Sequence, residues 1–186
     1  KASPVGFTRP LMAEAAVRLA HPMAGRPAYY GYPEGLIEPD DVVGHHYQPG
    51  FRGHFASPRY RDISIEINSY GFRDVEWPPA PDPAKPRVMV LGDSITFGSP
   101  IRREERFTEQ AMQFAAERGR PIETCNCGVN GFGVIQYDTL LRQWGPRLQP
   151  QLVLIGLCLN DAEPIPPADD ARLRAADEAK KQRAGE

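Results

Sequence analysis

Val88-Met89-Val90-Leu91-Gly92-Asp93-Ser94-Ile95-Thr96-Phe97-Gly98 is the stretch that decides how this chain folds. Residues 88–91 are apolar without alternation, which suits a strand buried on both faces, as in a parallel sheet. Gly92, Asp93 and Ser94 follow at once. Each favours a turn, so the strand ends here and its last residues lie at the carboxyl end of the sheet. Open parallel sheets bind their ligands at that end.

Downstream, the pattern alternates. Residues 107–118 carry Phe107, Ala111, Phe114 and Ala115 at helical spacing, which predicts a helix with that face on the core. A strand is expected over 122–126. A second helix is expected over 134–144, with Val134, Tyr137, Leu141 and Trp144 in register and with Pro146 and Pro150 stopping it. Residues 152–157 read as a third strand, apolar on both faces. Strand–helix alternation of this kind predicts parallel strands, with the second and third flanking the first.

Upstream, residues 8–19 read as a helix, capped by Thr8 with Pro10 in its first turn. Residues 21–53 are rich in Pro, Gly and Tyr without a period and predict an irregular covering segment. Residues 62–68 (DISIEIN) alternate, placing Ile63, Ile65 and Ile67 on one face of a half-buried strand. Residues 78–86 form a proline-rich linker. The organisation expected is an N-terminal helix (1–20), an extended Pro/Gly-rich segment (21–86), an α/β core (87–163) and a charged helix or tail (164–186).

Composition narrows the function. The chain has 186 residues, 41% hydrophobic and 25% charged, with a formal net charge of −2. A near-neutral balance argues against nucleic acid as a partner. No stretch is long and apolar enough to span a membrane. The chain starts at Lys1 rather than Met, as expected of a processed or partly represented sequence. Cys125, Cys127 and Cys158 form neither a disulfide framework nor a metal-ligand pattern with a histidine, and read as buried small side chains.

Chemistry-bearing residues gather at the three strand ends. Ser94 follows the first. A serine hydroxyl is a weak nucleophile that needs an adjacent base. The second strand ends in Asn126-Cys127-Gly128-Val129-Asn130-Gly131, where a glycine can offer a main-chain N–H. The third ends in Cys158-Leu159-Asn160-Asp161, where Asn160 can offer a side-chain amide. Donors of this kind stabilise a developing oxyanion, each typically worth ~3 kcal/mol of barrier.

These blocks together resemble the SGNH, or GDSL, hydrolase family: Gly92-Asp93-Ser94 for the nucleophile, Gly128 for the glycine block and Asn160-Asp161 for the asparagine block. Asn68-Ser69-Tyr70-Gly71-Phe72-Arg73-Asp74 is similar to a segment found ahead of the nucleophile in many bacterial members. The resemblance covers roughly residues 43–161. It implies a flavodoxin-like, three-layer α/β/α fold whose parallel sheet has five strands, of which three are readable here. It also implies acyl-ester hydrolysis, for instance of an acetyl group on a carbohydrate, with Ser94 as nucleophile. The Ser94 N–H, Gly128 and Asn160 would form the oxyanion hole, with no metal or organic cofactor, and the setting would be extracytoplasmic.

The sequence departs from the family pattern in two places. Cys158 stands where the asparagine block usually has glycine. The family's closing Asp-x-x-His block has no match either, because His21, His45, His46 and His54 all precede Ser94. His45 and His46 lie in the Pro/Gly segment and are expected to be surface or loop-packing side chains. The chain as it stands is therefore expected to be catalytically inactive, its base lying outside this sequence. The alternative is a non-catalytic accessory subunit of a larger, membrane-bound assembly. In either case the 152–157 strand is expected to need a partner protein or a missing segment along its free edge.

Overall fold

The computed structural model describes residues 31–57 and 59–162. The expected helix over 8–19, His21 and the charged segment 164–186 lie outside them.

The core is a three-stranded parallel sheet. Its strands are β5 (Arg87–Gly92), β6 (Glu123–Gly128) and β7 (Leu152–Gly156), in the order β6-β5-β7. The first strand is central, as the alternation predicts, and every residue of β5 is buried. The chain is thus a mixed α/β structure whose sheet starts in the flavodoxin-like order. Three helices connect its strands: α1 (Ser94–Phe97) and α2 (Phe107–Glu117) between β5 and β6, and α3 (Val134–Leu148) between β6 and β7.

The segment expected to be irregular is more ordered than its composition suggests. Strands β1 (Ile37–Asp40) and β2 (Gly44–Tyr47) pair antiparallel, as do β3 (Arg52–His54) and β4 (Ser64–Glu66). Three- and four-residue strands are too short to show a period. In the 62–68 stretch, Ile65 and Ile67 are buried as the alternation requires. Leu36, Tyr47, Phe55, Ile65 and Trp77 join Met89, Leu91 and Cys127 in one hydrophobic core. The N-terminal segment is therefore integral to the domain.

Two expectations, for the end of α3 and the apolar face of α2, are corrected, and the free edge expected on the third strand is observed. Helix α3 runs through Pro146 to Leu148, because a proline in the last turn forfeits only one backbone bond. The helix stops instead at Gln149, whose φ of 49° is left-handed and whose N–H reaches Gly145 O at 2.9 Å. On α2 the apolar face is not buried: Phe107 and Phe114 are 39% and 56% exposed, and Thr108 is the helix's buried residue. The Arg118 guanidinium, 3.3 Å from the Phe114 ring centroid, covers that ring instead. On β7, Leu152, Leu154 and Ile155 are 57%, 45% and 47% exposed. Among the described residues that strand pairs only with β5 and nothing hydrogen-bonds its outer edge.

This distribution of burial makes a testable contrast. Leu91→Ala, at a fully buried position on the central strand, should lower unfolding free energy by about 2–5 kcal/mol in a urea titration. Ile155→Thr on the exposed edge strand should change it by less than about 0.5 kcal/mol.

Candidate functional site

Three glycines lie level at the carboxyl end of the sheet. Gly92 of β5 pairs with Gly128 of β6 on one side and Gly156 of β7 on the other. Thr96, buried in the middle of α1, sits over all three. A Cβ on Gly92 would fall on the Thr96 hydroxyl, one on Gly156 would lie 2.9 Å from it, and one on Gly128 would fall on the Thr96–Phe97 main chain. Glycine at this level lets α1 rest directly on the strand ends, and Ser94 opens that helix.

The Ser94 turn is tied at both ends. Asp93 is the N-cap; its Oδ1 accepts the Ile95 N–H at 2.9 Å. At the other end Gly98 takes the left-handed conformation (φ 83°) and donates to Ser94 O at 3.0 Å. Among the described residues, the Ser94 N–H and the Ser94 hydroxyl have no hydrogen-bond partner.

Gly128 lies beside this turn, but its N–H is already given to Asn126 Oδ1 at 3.0 Å. In this structure its contribution is the missing side chain. Gly131, three residues on, is exposed with φ 74°, and no described residue accepts its N–H. Asn160 lies in a single 3-10 turn, Leu159–Ala162, that follows β7. The neighbouring Asp161 holds this turn: its Oδ2 accepts the Cys158 N–H at 2.8 Å and the Tyr137 hydroxyl at 3.1 Å. The structure thus brings Ser94, Gly128 and the Asn160 turn to one end of the sheet.

Sequence reasoning quoted Asn126, Arg73 and Asp74 without giving them roles. Asn126 Nδ2 donates to Thr96 O at 2.8 Å, fixing α1 from below. Its own N–H goes to Asp74 Oδ2 at 2.8 Å, and the same oxygen accepts the Trp77 indole N–H at 2.9 Å. Burial raises the Asp74 pKa, while the adjacent Arg106 cation opposes the rise. The available signal was a pair of ionisable residues, Arg73 and Asp74, inside an otherwise turn-forming and apolar motif.

The histidines are placed as follows. His45 lies on β2, hydrogen-bonded to the Asn130 main chain and edge-on to the Phe132 ring at 5.1 Å. Beside it, the Tyr47 hydroxyl accepts the Asn130 N–H at 3.0 Å. His45 is thus a packing residue, held by a regular hairpin against the turn after β6. His46 Nε2 is 3.1 Å from Glu38 Oε2, and His54 is exposed on β3. No described histidine hydrogen-bonds Ser94. Burial raises the Cys125 pKa to about 12 and that of Cys127 well above its ordinary value, so both thiols stay protonated. Among the described residues, no three His, Cys, Asp or Glu side chains converge as a metal site, and no helix is long and apolar enough to cross a membrane.

Comparison with known proteins decides the family. The family model described as GDSL-like Lipase/Acylhydrolase matches residues 90–184. The chain belongs to this family. Among solved structures the chain is similar to one titled "Esterase AlinE4 mutant, D162A", at 17% identity and a TM-score of 0.40. That similarity covers 52% of this chain and 55% of the other, so the chain spans about half the length of that esterase. No curated protein matches the chain.

Two outcomes follow from this geometry. Gly128→Ala should force α1 off the strand ends and cost about 1–3 kcal/mol of stability, read by chemical denaturation. Burial, then the His46 charge, lowers the His45 pKa below its ordinary 6.5, against the Asn130 hydrogen bond and Asp40. The unfolded chain therefore binds the proton first, and stability falls as pH drops below 6.5 towards the lower folded value. His45→Gln should flatten that part of the melting-temperature profile.

Proposed function

We propose that this GDSL-family chain is the nucleophile-bearing part of a serine ester hydrolase, with Ser94 attacking the acyl carbonyl. The observation that carries this reading is Ser94 itself. It stands at the carboxyl end of the central strand, on a turn fixed at both ends, with its hydroxyl and N–H free of described partners. In the reaction, Ser94 Oγ forms a bond to the carbonyl carbon and the carbonyl electron pair moves onto oxygen. The hydroxyl proton passes to a base. The alcohol then leaves with a proton, and water hydrolyses the acyl-serine.

The Ser94 N–H and the amide of Asn160 are the proposed donors to the oxyanion. Gly128 serves by letting β6 approach, and its N–H would have to leave Asn126 to join them. Gly131 in the same block has an N–H that no described residue accepts. The proposed base is a histidine, and no described histidine hydrogen-bonds Ser94. The substrate class is an acyl ester, such as an acetylated carbohydrate in an extracytoplasmic setting.

A second reading rests on a separate observation, the exposed apolar edge of β7. There the chain serves as an accessory subunit whose sheet is completed by a partner, and Ser94 is inherited without use.

Incubation with an alkyl fluorophosphonate, followed by peptide mass mapping, separates the two readings. Slow modification confined to Ser94 and absent from Ser94→Ala is expected. Turnover of p-nitrophenyl acetate should stay close to that of the Ser94→Ala control, because general-base assistance worth ~10²–10⁴-fold is missing. A Ser94 that never reacts would leave the accessory reading standing.

A further inference from the structure

We propose that Arg73 is a positioning residue for the nucleophile turn, acting as a clamp on the carbonyls at the end of α1. This rests on Ser94 being the nucleophile. The Arg73 guanidinium donates through Nη1 to Gly98 O at 2.7 Å and Phe97 O at 3.3 Å. Through Nη2 it donates to Ile101 O at 3.0 Å and Ser64 O at 2.9 Å. Three of these four acceptors follow Ser94 within seven residues. The fourth belongs to β4, so the clamp joins the N-terminal segment to the turn.

The electrostatics favour a specific role. Arg73 is 2% exposed, yet no described carboxylate lies within salt-bridge distance of it. The other two buried arginines are paired, Arg87 with Glu123 and Arg106 with Asp74 and Glu109. A buried cation held only by carbonyls costs more than an apolar side chain of similar volume would. What it supplies is direction: five N–H donors in a rigid plane that match several carbonyls at once. The Phe97 and Phe55 rings, 5.2 and 5.8 Å away, fix the plane. Burial, then the Arg106 charge, brings its pKa down to about 10, so the clamp stays charged at neutral pH.

Of the carbonyls that Arg73 holds at and just after the end of this one-turn helix, Phe97 O and Ile101 O accept from no other described group, while Gly98 O also accepts the Ile101 N–H at 3.0 Å. Releasing them frees Gly98 and Ser99, whose N–H groups both bond Ser94 O at 3.0 Å. Ser94 is thereby located from its own carbonyl side.

The test uses the full chain with Arg73→Gln and Arg73→Lys. Two signals are read: fluorophosphonate labelling of Ser94, and amide exchange resolved by residue. For Arg73→Gln, labelling should slow roughly 10- to 100-fold, as expected for a displaced nucleophile. Exchange at Gly98, Ser99 and Ile101 should rise by at least about tenfold while the β5 amides stay protected. Arg73→Lys, which keeps the charge and can still reach Gly98 O, should recover part of both signals. Uniform acceleration across the sheet, or unchanged labelling in a folded Arg73→Gln, overturns the clamp. If wild type fails to label while Arg73→Gln still loosens those three amides alone, the clamp stands and Ser94 is not the nucleophile.

Discussion

The rest of the structure depends on how closely a one-turn helix approaches the end of a sheet. Gly92, Gly128 and Gly156 stand level in three neighbouring strands, and Thr96 presses down on all of them. Any side chain at that level would lift α1 and carry Ser94 away from the strand ends. Because the helix lies so low, the Asn126 amide reaches its Thr96 carbonyl. Close packing and the polar bond are thus one constraint: losing the first stretches the second. Gly92 and Gly128 are retained here for lack of volume, and their φ values are not in the left-handed range.

Around that contact the chain buries an unusual set of charges. Arg73, Arg87 and Arg106 are at most 2% exposed, and Asp74 is 7% exposed. Burying ions weakens a fold unless every polar atom is matched, and here the matching is dense. Arg87 bonds Leu148 O, Pro78 O and Ala80 O as well as Glu123. These ions tie loops without regular structure to the sheet. Leu148 and Pro78 lie on opposite sides of the central strand in sequence, yet one guanidinium holds both. The proline-rich linker is thereby fixed without a strand or helix of its own.

The sheet was legible in the sequence because its strands are apolar and their ends are marked. Residues 88–91, 122–126 and 152–157 were placed within two residues of β5, β6 and β7, in the observed order. The turn at Ser94 was legible for the same reason. The hairpins β1–β2 and β3–β4 were not, since three or four residues cannot show a period and their glycines imitate disorder. Nor were the roles of Asn126, Asp74 and Arg73. Their importance lies in which main-chain atoms they meet, and several of those atoms are 24 to 52 residues away. The apolar face of α2 misled for another reason: periodicity states which residues share a face, but not whether a neighbour covers it.

The two outer edges of the sheet are finished differently. On β6, the Asn126 N–H that would face solvent is taken by the Asp74 carboxylate, and Arg106 and Trp77 hold that carboxylate in place. An ion that accepts an edge N–H blocks strand addition there, because an incoming strand would have to strip a buried carboxylate of its partner. On β7 no described side chain plays that part, and residues 152–155 are leucine, valine and isoleucine. Open N–H and C=O groups flanked by exposed aliphatic side chains are the features that favour pairing with a further strand. The polar brace therefore gives the sheet a direction of growth, closed at β6 and open at β7. The open side is also the side on which the Asn160 turn emerges, two residues beyond the last exposed leucine of the strand run, Leu157 at 69%. A strand added along β7 would lie beside the turn that carries Asn160, so the free edge of the sheet and the candidate site are neighbours.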